Sequence, residues 1–161
     1  RMKRILLMLT IVLVALAGCK KDPMPGQTPD TPTTIGSLLG EWRGQVYGDV
    51  TIGQGGDENS IKIGGFPNSA AIGLRGYVMT DNTIRIPKQT FQEVYYPIDT
   101  GYDEPFYYTH DFIPLNGDEL VIPYDSDRIY ISDAFETGEI SLITGEYVTH
   151  KGKAYTLIRK Q

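Results

Sequence analysis

The stretch GEWRGQVYGDVTI, residues 40–52, decides the fold. Its large apolar residues Trp42, Val46, Val50 and Ile52 fall on even positions, and Glu41, Arg43, Gln45 and Asp49 fall on odd ones. Successive side chains of an extended chain point to opposite sides, so a period of two marks a strand with one face buried. Gly44 and Gly48 lie on the apolar face, where a bend or a close backbone approach is expected.

The same period recurs along the chain, in Ile61 and Ile63; in Ile72, Leu74 and Val78; in Ile84 and Ile86; in Leu120, Ile122 and Tyr124; and in Tyr155 and Leu157. Turn-forming residues separate these runs at Asp57-Glu58-Asn59, Thr80-Asp81-Asn82, Asn116-Gly117-Asp118, Thr137-Gly138 and Lys151-Gly152-Lys153. The domain's six prolines, at 67, 87, 97, 105, 114 and 123, fall mostly at segment ends, where a strand can lose a donor. Beyond residue 36 only Tyr124 to Thr137 exceeds ten residues without Gly or Pro, whereas an average helix needs about 11 to 12. The pattern predicts an all-β domain of eight to ten antiparallel strands, with one short helix around Ser132 to Glu136. Many short sequential hairpins with one apolar face close as an up-and-down barrel or fold over as a β-sandwich.

The 161 residues suit one ordinary domain. With 15 Lys and Arg against 20 Asp and Glu, the formal charge is −5, which leaves no cationic excess for phosphate and argues against nucleic-acid binding. The single cysteine, Cys19, excludes an internal disulfide.

Arg1, Lys3 and Arg4 precede the apolar run Ile5 to Ala17, which is shorter than the roughly 20 residues needed to span a bilayer and reads as a signal peptide over 1–18. Residues 19–36 carry Pro23, Pro25, Pro29 and Pro32 among polar residues, with almost nothing to bury, and read as a disordered tether. The barrel domain is expected over 37–161.

Leu16-Ala17-Gly18-Cys19 resembles the lipobox of bacterial lipoproteins. That resemblance implies that Cys19 is acylated on sulfur, becomes the first residue after cleavage and anchors the protein through palmitate-like chains. Lys20 in place of an aspartate implies delivery to the outer membrane. Gly40-Glu41-Trp42 at the head of the first strand resembles the G-x-W signature of lipocalins and other calycins. The resemblance implies a barrel plugged at one end by Trp42 under an arginine from near the chain end, the role that Arg159 matches. The run Ile84 to Gln89 and the end Tyr155 to Arg159 resemble the lipocalin-like lipoproteins of Bacteroidetes.

Tyr95, Tyr96, Tyr102, Phe106, Tyr107, Tyr108 and Phe112 crowd into eighteen residues, and alternation places Phe106, Tyr108, His110 and Phe112 on one face. Tyr95, Tyr96, Phe106, Tyr108, His110 and Phe112 are therefore the candidate ligand-binding residues, with aromatic core packing as the other reading. Asp99-Thr100-Gly101-Tyr102-Asp103-Glu104 and Asp125-Ser126-Asp127 have carboxylate spacing suited to calcium or to solvated turns; neither completes a known loop, and no metal or cofactor is expected. There is no nucleophile elbow, H-E-x-x-H or Walker lysine, and Gly53-Gln54-Gly55-Gly56 lacks a strand-to-helix setting, so catalysis is not expected. The function expected is carriage of a small, partly apolar ligand inside the barrel or at its mouth; the alternative is a structural subunit that docks a protein or glycan on its outer face.

Overall fold

The computed structural model describes residues 35–46, 48–96 and 104–161. The leader, Cys19, the tether up to residue 34, Tyr102 and most of the Asp99–Glu104 carboxylates lie outside the described residues. Among the described residues the domain is all-β and entirely antiparallel. Its only helical element is a single 3-10 turn, Ile35–Ser37.

The strands are β1 (Gly40–Gly44), β2 (Val50–Gln54), β3 (Ser60–Gly64), β4 (Ala71–Ile72), β5 (Leu74–Val78), β6 (Thr83–Pro87), β7 (Gln89–Tyr95), β8 (Phe106–Pro114), β9 (Glu119–Pro123), β10 (Arg128–Ile131), β11 (Phe135–Ile140), β12 (Tyr147–Lys151) and β13 (Tyr155–Arg159). They form an eight-stranded sheet in the order β10-β13-β1-β2-β3-β5-β6-β9 and a five-stranded sheet in the order β12-β11-β8-β7-β4. Around the first sheet the strands succeed one another in circular chain order, with β4, β7–β8 and β11–β12 passing into the second sheet between them, and its two edges meet at the hairpin where Tyr124 pairs with Ile129. It is a nearly closed, up-and-down, barrel-like sheet.

The second sheet grows out of the first. Residues 71–78 pair with 83–95 as one hairpin, with β5 on β6 in the barrel and β4 on β7 above it. Between those two stretches the Gln89 side chain takes over the ladder, donating to Arg75 O at 2.7 Å and accepting from Arg75 N at 2.9 Å. Similarly β10 and β13 pair in the barrel, while their extensions β11 and β12 pair above it. The strands from residue 71 onward therefore bend out of the barrel wall and continue as a five-stranded wing over its mouth.

Inside the barrel, Val50, Ile52, Ile63, Ile84, Ile86, Ile122, Ile129, Ile131 and Leu157 interdigitate and leave only about 10 Å³ free, too little for a ligand and barely enough for one water. At the base, Trp42 is fully buried, donates Nε1–H to Leu38 O at 2.9 Å and lies 4.4 Å under the Arg159 guanidinium. Register pairs Trp42 directly with Arg159. Such a cation–π contact contributes about 0.5–2 kcal/mol. The Arg159 guanidinium also donates to Leu39 O and Ser126 O, so it ties the first strand, the β9–β10 turn and the last strand together.

At the other end, Phe66 enters from the loop that follows β3 and meets Phe112 and Phe135 edge-on, with centroids at 5.9 and 5.3 Å. Phe112 stacks on Phe135 at 5.3 Å, and Tyr155 closes the group. Aromatic pairs of this kind contribute beyond the area they bury. The barrel is thus stoppered at both ends.

Several local expectations are corrected. Alternation does not run unbroken from Trp42 to Ile52: β1 stops at Gly44, whose missing Cβ lets the Gly48 carbonyl approach, and Val46 is exposed. Gly73, at φ +73°, flips the phase so that Ala71 and Leu74 face in and Ile72 faces out. No helix forms over Ser132 to Glu136; the chain bends there, Ala134 O accepts from Leu115 N, and β11 begins at Phe135. Thr137-Gly138 is mid-strand rather than a turn, since bare Gly138 makes room for the Tyr147 phenol to cross the strand and donate to Asp111. The turn after β11 falls instead at 141–146, where Ser141 N donates to Glu146 O. Lys151-Gly152-Lys153 is likewise not a hairpin tip but the bend between β12 and β13, where a Cβ on Gly152 would strike the Phe135 ring. Asn116-Gly117-Asp118 joins β8 to β9, which lie in different sheets. Pro87, Pro114 and Pro123 each end a strand, as expected.

Because the Phe66 ring has no space to be replaced by collapse, Phe66→Ala is expected to destabilise the protein by about 3–5 kcal/mol. Ile143→Ala, at an almost fully exposed position, should cost within about 0.5 kcal/mol. Urea denaturation followed by Trp42 fluorescence measures both. Equal midpoints for the two variants would refute the stopper.

Candidate functional site

Above the aromatic stopper, the inner face of the wing and the 65–70 loop enclose a cleft of about 270 Å³. Strand alternation puts Phe91, Glu93 and Tyr95 of β7 on that face, across from His110, Tyr108 and Phe106 of β8 in direct register. Phe135, Thr137 and Glu139 come from β11, and His150 comes from β12 opposite Thr137.

At the cleft's centre is a chain of carboxylates and imidazoles. Glu93 is 4% exposed and His110 6%. Glu93 accepts from Asn68 Nδ2 and from the Tyr95 hydroxyl. The Asn68 Oδ1 in turn accepts from Ala70 N at 3.0 Å within the loop, and Ala70 O accepts from Val94 N at 3.0 Å, which pins the loop to β7. His110 lies between two carboxylates, with Nε2 3.3 Å from Glu93 and Nδ1 3.2 Å from Glu139. The Nε2 contact is off-line, so that buried nitrogen has charge nearby but no hydrogen bond. The other Glu139 oxygen meets His150 Nε2 at 3.2 Å. Phe91 stacks on the His110 ring at 5.5 Å.

A carboxylate buried this deeply is tolerated only because it accepts several hydrogen bonds. The effect on Tyr95 is direct. Its hydrogen bond to Glu93 pushes the phenol up to about 12, with burial and the charges of Glu93 and Glu139 adding to the same direction.

A second, larger groove of about 600 Å³ adjoins the first towards the wing's free end. Tyr95, His110 and Glu139 line both; Tyr107, Tyr108, Ile140 and Leu142 line only the groove. Tyr95 and Tyr108 meet edge-to-face at 5.4 Å. One continuous region thus has an acidic, histidine-bearing end and an aromatic, aliphatic end.

Of the candidates read from sequence, Tyr95, Tyr108 and His110 come together here. Phe112 belongs to the stopper and is fully buried. Phe106 and Tyr96 are exposed at the wing's end and line neither cavity. Sequence reasoning did not single out Asn68, Glu93, Glu139 or His150. One signal was available for Glu93, an acid between Phe91 and Tyr95 on the apolar phase of its strand. Asp125 accepts from the backbone of Asp127 and Arg128 and from the Tyr130 hydroxyl, the bonding of a capped turn. Among the described residues no group of His, Cys, Asp or Glu has metal-holding geometry.

No family model, curated protein or solved structure matches the chain.

A phenol whose folded-state value lies above its unfolded one, about 10, favours folding while it keeps its proton. That contribution is complete below about pH 10 and is lost as pH rises through about 12. Tyr124, Tyr130 and Tyr147 are also shifted upward, so tyrosinate absorbance should show a late-titrating group, and Tyr95→Phe should remove one tyrosine's amplitude near pH 12 from it. The stability difference between the two proteins should vanish over the same interval. A difference unchanged from pH 8 to about 12 would mean that the hydroxyl is not bonded to Glu93.

Proposed function

We propose that the protein is a lipid-anchored lipoprotein of the bacterial outer membrane, similar to the lipocalin-like lipoproteins of Bacteroidetes, whose barrel mouth binds a small, partly apolar ligand. The observation that carries the binding reading is the two-ended cleft above the stopper. Pockets for small molecules are concave and mostly apolar, with a few fixed polar groups. Here Tyr95, Tyr108, Ile140 and Leu142 supply the first kind of surface, and Glu93, His110 and Glu139 the second. The filled barrel interior leaves the mouth as the place for the ligand.

The anchor rests on Leu16-Ala17-Gly18-Cys19. Acyl chains contribute about 0.8 kcal/mol per buried methylene, so two or three chains hold a protein that one holds only marginally. The calycin reading is supported by Gly40-Glu41-Trp42 with Arg159 lying over Trp42, and by a nearly closed antiparallel sheet whose strands run in circular chain order apart from the excursions into the wing.

A second reading has its own observation. Tyr96, Phe106, Tyr107, Ile140, Leu142, Ile143 and Tyr147 are all exposed towards the wing's free end, and Ile143 is 96% exposed. Apolar side chains gathered in this way suit a docking face for a protein or glycan.

The two halves of the proposal are tested separately. Intact mass of the protein extracted from membranes should equal the chain from Cys19 onward plus a diacylglyceryl group and an amide-linked acyl chain; an unmodified, uncleaved mass would refute the anchor. Native mass spectrometry of protein purified from its source should show a small adduct that Tyr108→Ala reduces about tenfold or more. An adduct-free wild type that also leaves hydrophobic probes such as fatty acids or retinoids unbound would refute carriage in favour of docking.

A further inference from the structure

We propose that the mouth site takes an organic cation, a ligand bearing an ammonium group on a flat apolar body, with the ammonium between the Glu139 carboxylate and the rings of Tyr95 and Tyr108. The inference rests on the reading of the mouth as a ligand site and specifies what that site selects.

The first argument is charge. Among the described residues, the only ion-pair partners of Glu93 and Glu139 are the imidazoles of His110 and His150. No lysine or arginine pairs with either acid, although the rest of the domain uses Arg85 and Lys160 freely in that way. Lys151 borders the smaller cleft but pairs with neither acid and does not reach the groove beside Tyr108, so a ligand carboxylate or phosphate there would meet the Glu139 carboxylate with no lysine or arginine beside it. A net charge of −5 on the whole chain also draws cations and repels anions on approach.

The second argument is the shortage of donors. His110 is nine-tenths buried with a carboxylate beside each ring nitrogen, yet its Nε2 makes no hydrogen bond. Glu93 already accepts from Asn68 and Tyr95. Glu139 has one oxygen on His150 and the other only near His110, and its half-exposed position leaves lone pairs facing the cleft. An ammonium brings three N–H donors and a positive charge to a site that offers mainly acceptors.

The third argument is the wall. Tyr95 and Tyr108 border the same space as Glu139, and aromatic faces attract cations that they do not attract as neutral isosteres. Beyond them, Ile140 and Leu142 give the ligand's apolar body a surface to cover. Aromatic rings and a carboxylate at one end and aliphatic side chains at the other match an aralkyl or alkyl amine in both parts.

The test uses the full-length protein in detergent and three probes of one shape, phenethylamine, phenethyl alcohol and phenylacetate, in isothermal titration. The amine should bind about tenfold or more tighter than the alcohol, with phenylacetate giving no heat. Glu139→Gln, a half-exposed substitution that the fold tolerates, should weaken the amine about tenfold and leave the alcohol unchanged. If the alcohol or phenylacetate binds as tightly as the amine, or if Glu139→Gln does not change amine affinity, the cation assignment is overturned and the mouth remains a ligand site. If none of the three probes binds, the mouth reading falls and the cation assignment falls with it.

Discussion

The aromatic stopper of Phe66, Phe112, Phe135 and Tyr155 is the contact on which the rest of the structure depends. It is where three parts of the chain with different jobs converge: the loop after β3, the wing strands β8 and β11, and the barrel strand β13. Below it, aliphatic side chains fill the barrel and leave about 10 Å³ free. Above it, the same wing strands are free to carry polar and titratable groups, because the stopper has already separated them from the core. Without the stopper, the Glu93–His110 pair would sit over an apolar cavity and have no floor.

The second constraint is strand length. β1, β2 and β3 are five residues each and stop at the barrel rim, whereas 83–95 continues past it from β6 into β7, and 106–114 lies wholly in the wing. A strand that leaves one sheet for another must break its ladder, and each break here has a local remedy. At Arg75 the Gln89 amide replaces the missing backbone partners; at Ile72 the left-handed Gly73 changes phase; at Gly152 the bare α-carbon lets the chain turn against the Phe135 ring. Because the short strands lie on one side only, the wing rises over an open mouth instead of closing a taller barrel. That asymmetry creates the cleft.

Much of this was legible in the sequence wherever the information is local. The period of two in Ile61–Ile63, Ile84–Ile86 and Leu120–Ile122 reports burial on one face directly, and those residues are core. The partnership of Trp42 with Arg159 was legible only through a family resemblance, since 117 positions separate them and nothing in either neighbourhood demands the other. The breaks were misread because a glycine in a strand pattern looks the same whether it makes a turn, as expected at Gly138, or clears space for a crossing Tyr147. The site was half legible for the same reason. Phe106, Tyr108, His110 and Phe112 share a face because they share a strand, but Glu93 and Glu139 reach His110, and His150 reaches Glu139, only through inter-strand register, and Asn68 meets Glu93 only through a loop's path, neither of which a single sequence encodes.

The wing also shows why a polar cluster sits in an otherwise apolar construction. Burying a carboxylate costs more than any single neutral hydrogen bond returns, so an isolated Glu93 would be selected against on stability alone. Its position is offset by Asn68, which holds the 65–70 loop down, and by Tyr95, which holds the end of β7 in place. The same carboxylate thereby fixes the two walls of the cleft relative to each other. An apolar residue at 93 would pack against Phe91 and Tyr108 without that cost, but it would give up both ties and leave His110 with a single acid. On the proposal that the mouth takes a charged ligand, retaining the acid there is understandable as the condition for a rigid, acidic cleft, because such affinity depends on groups already in place before the ligand arrives.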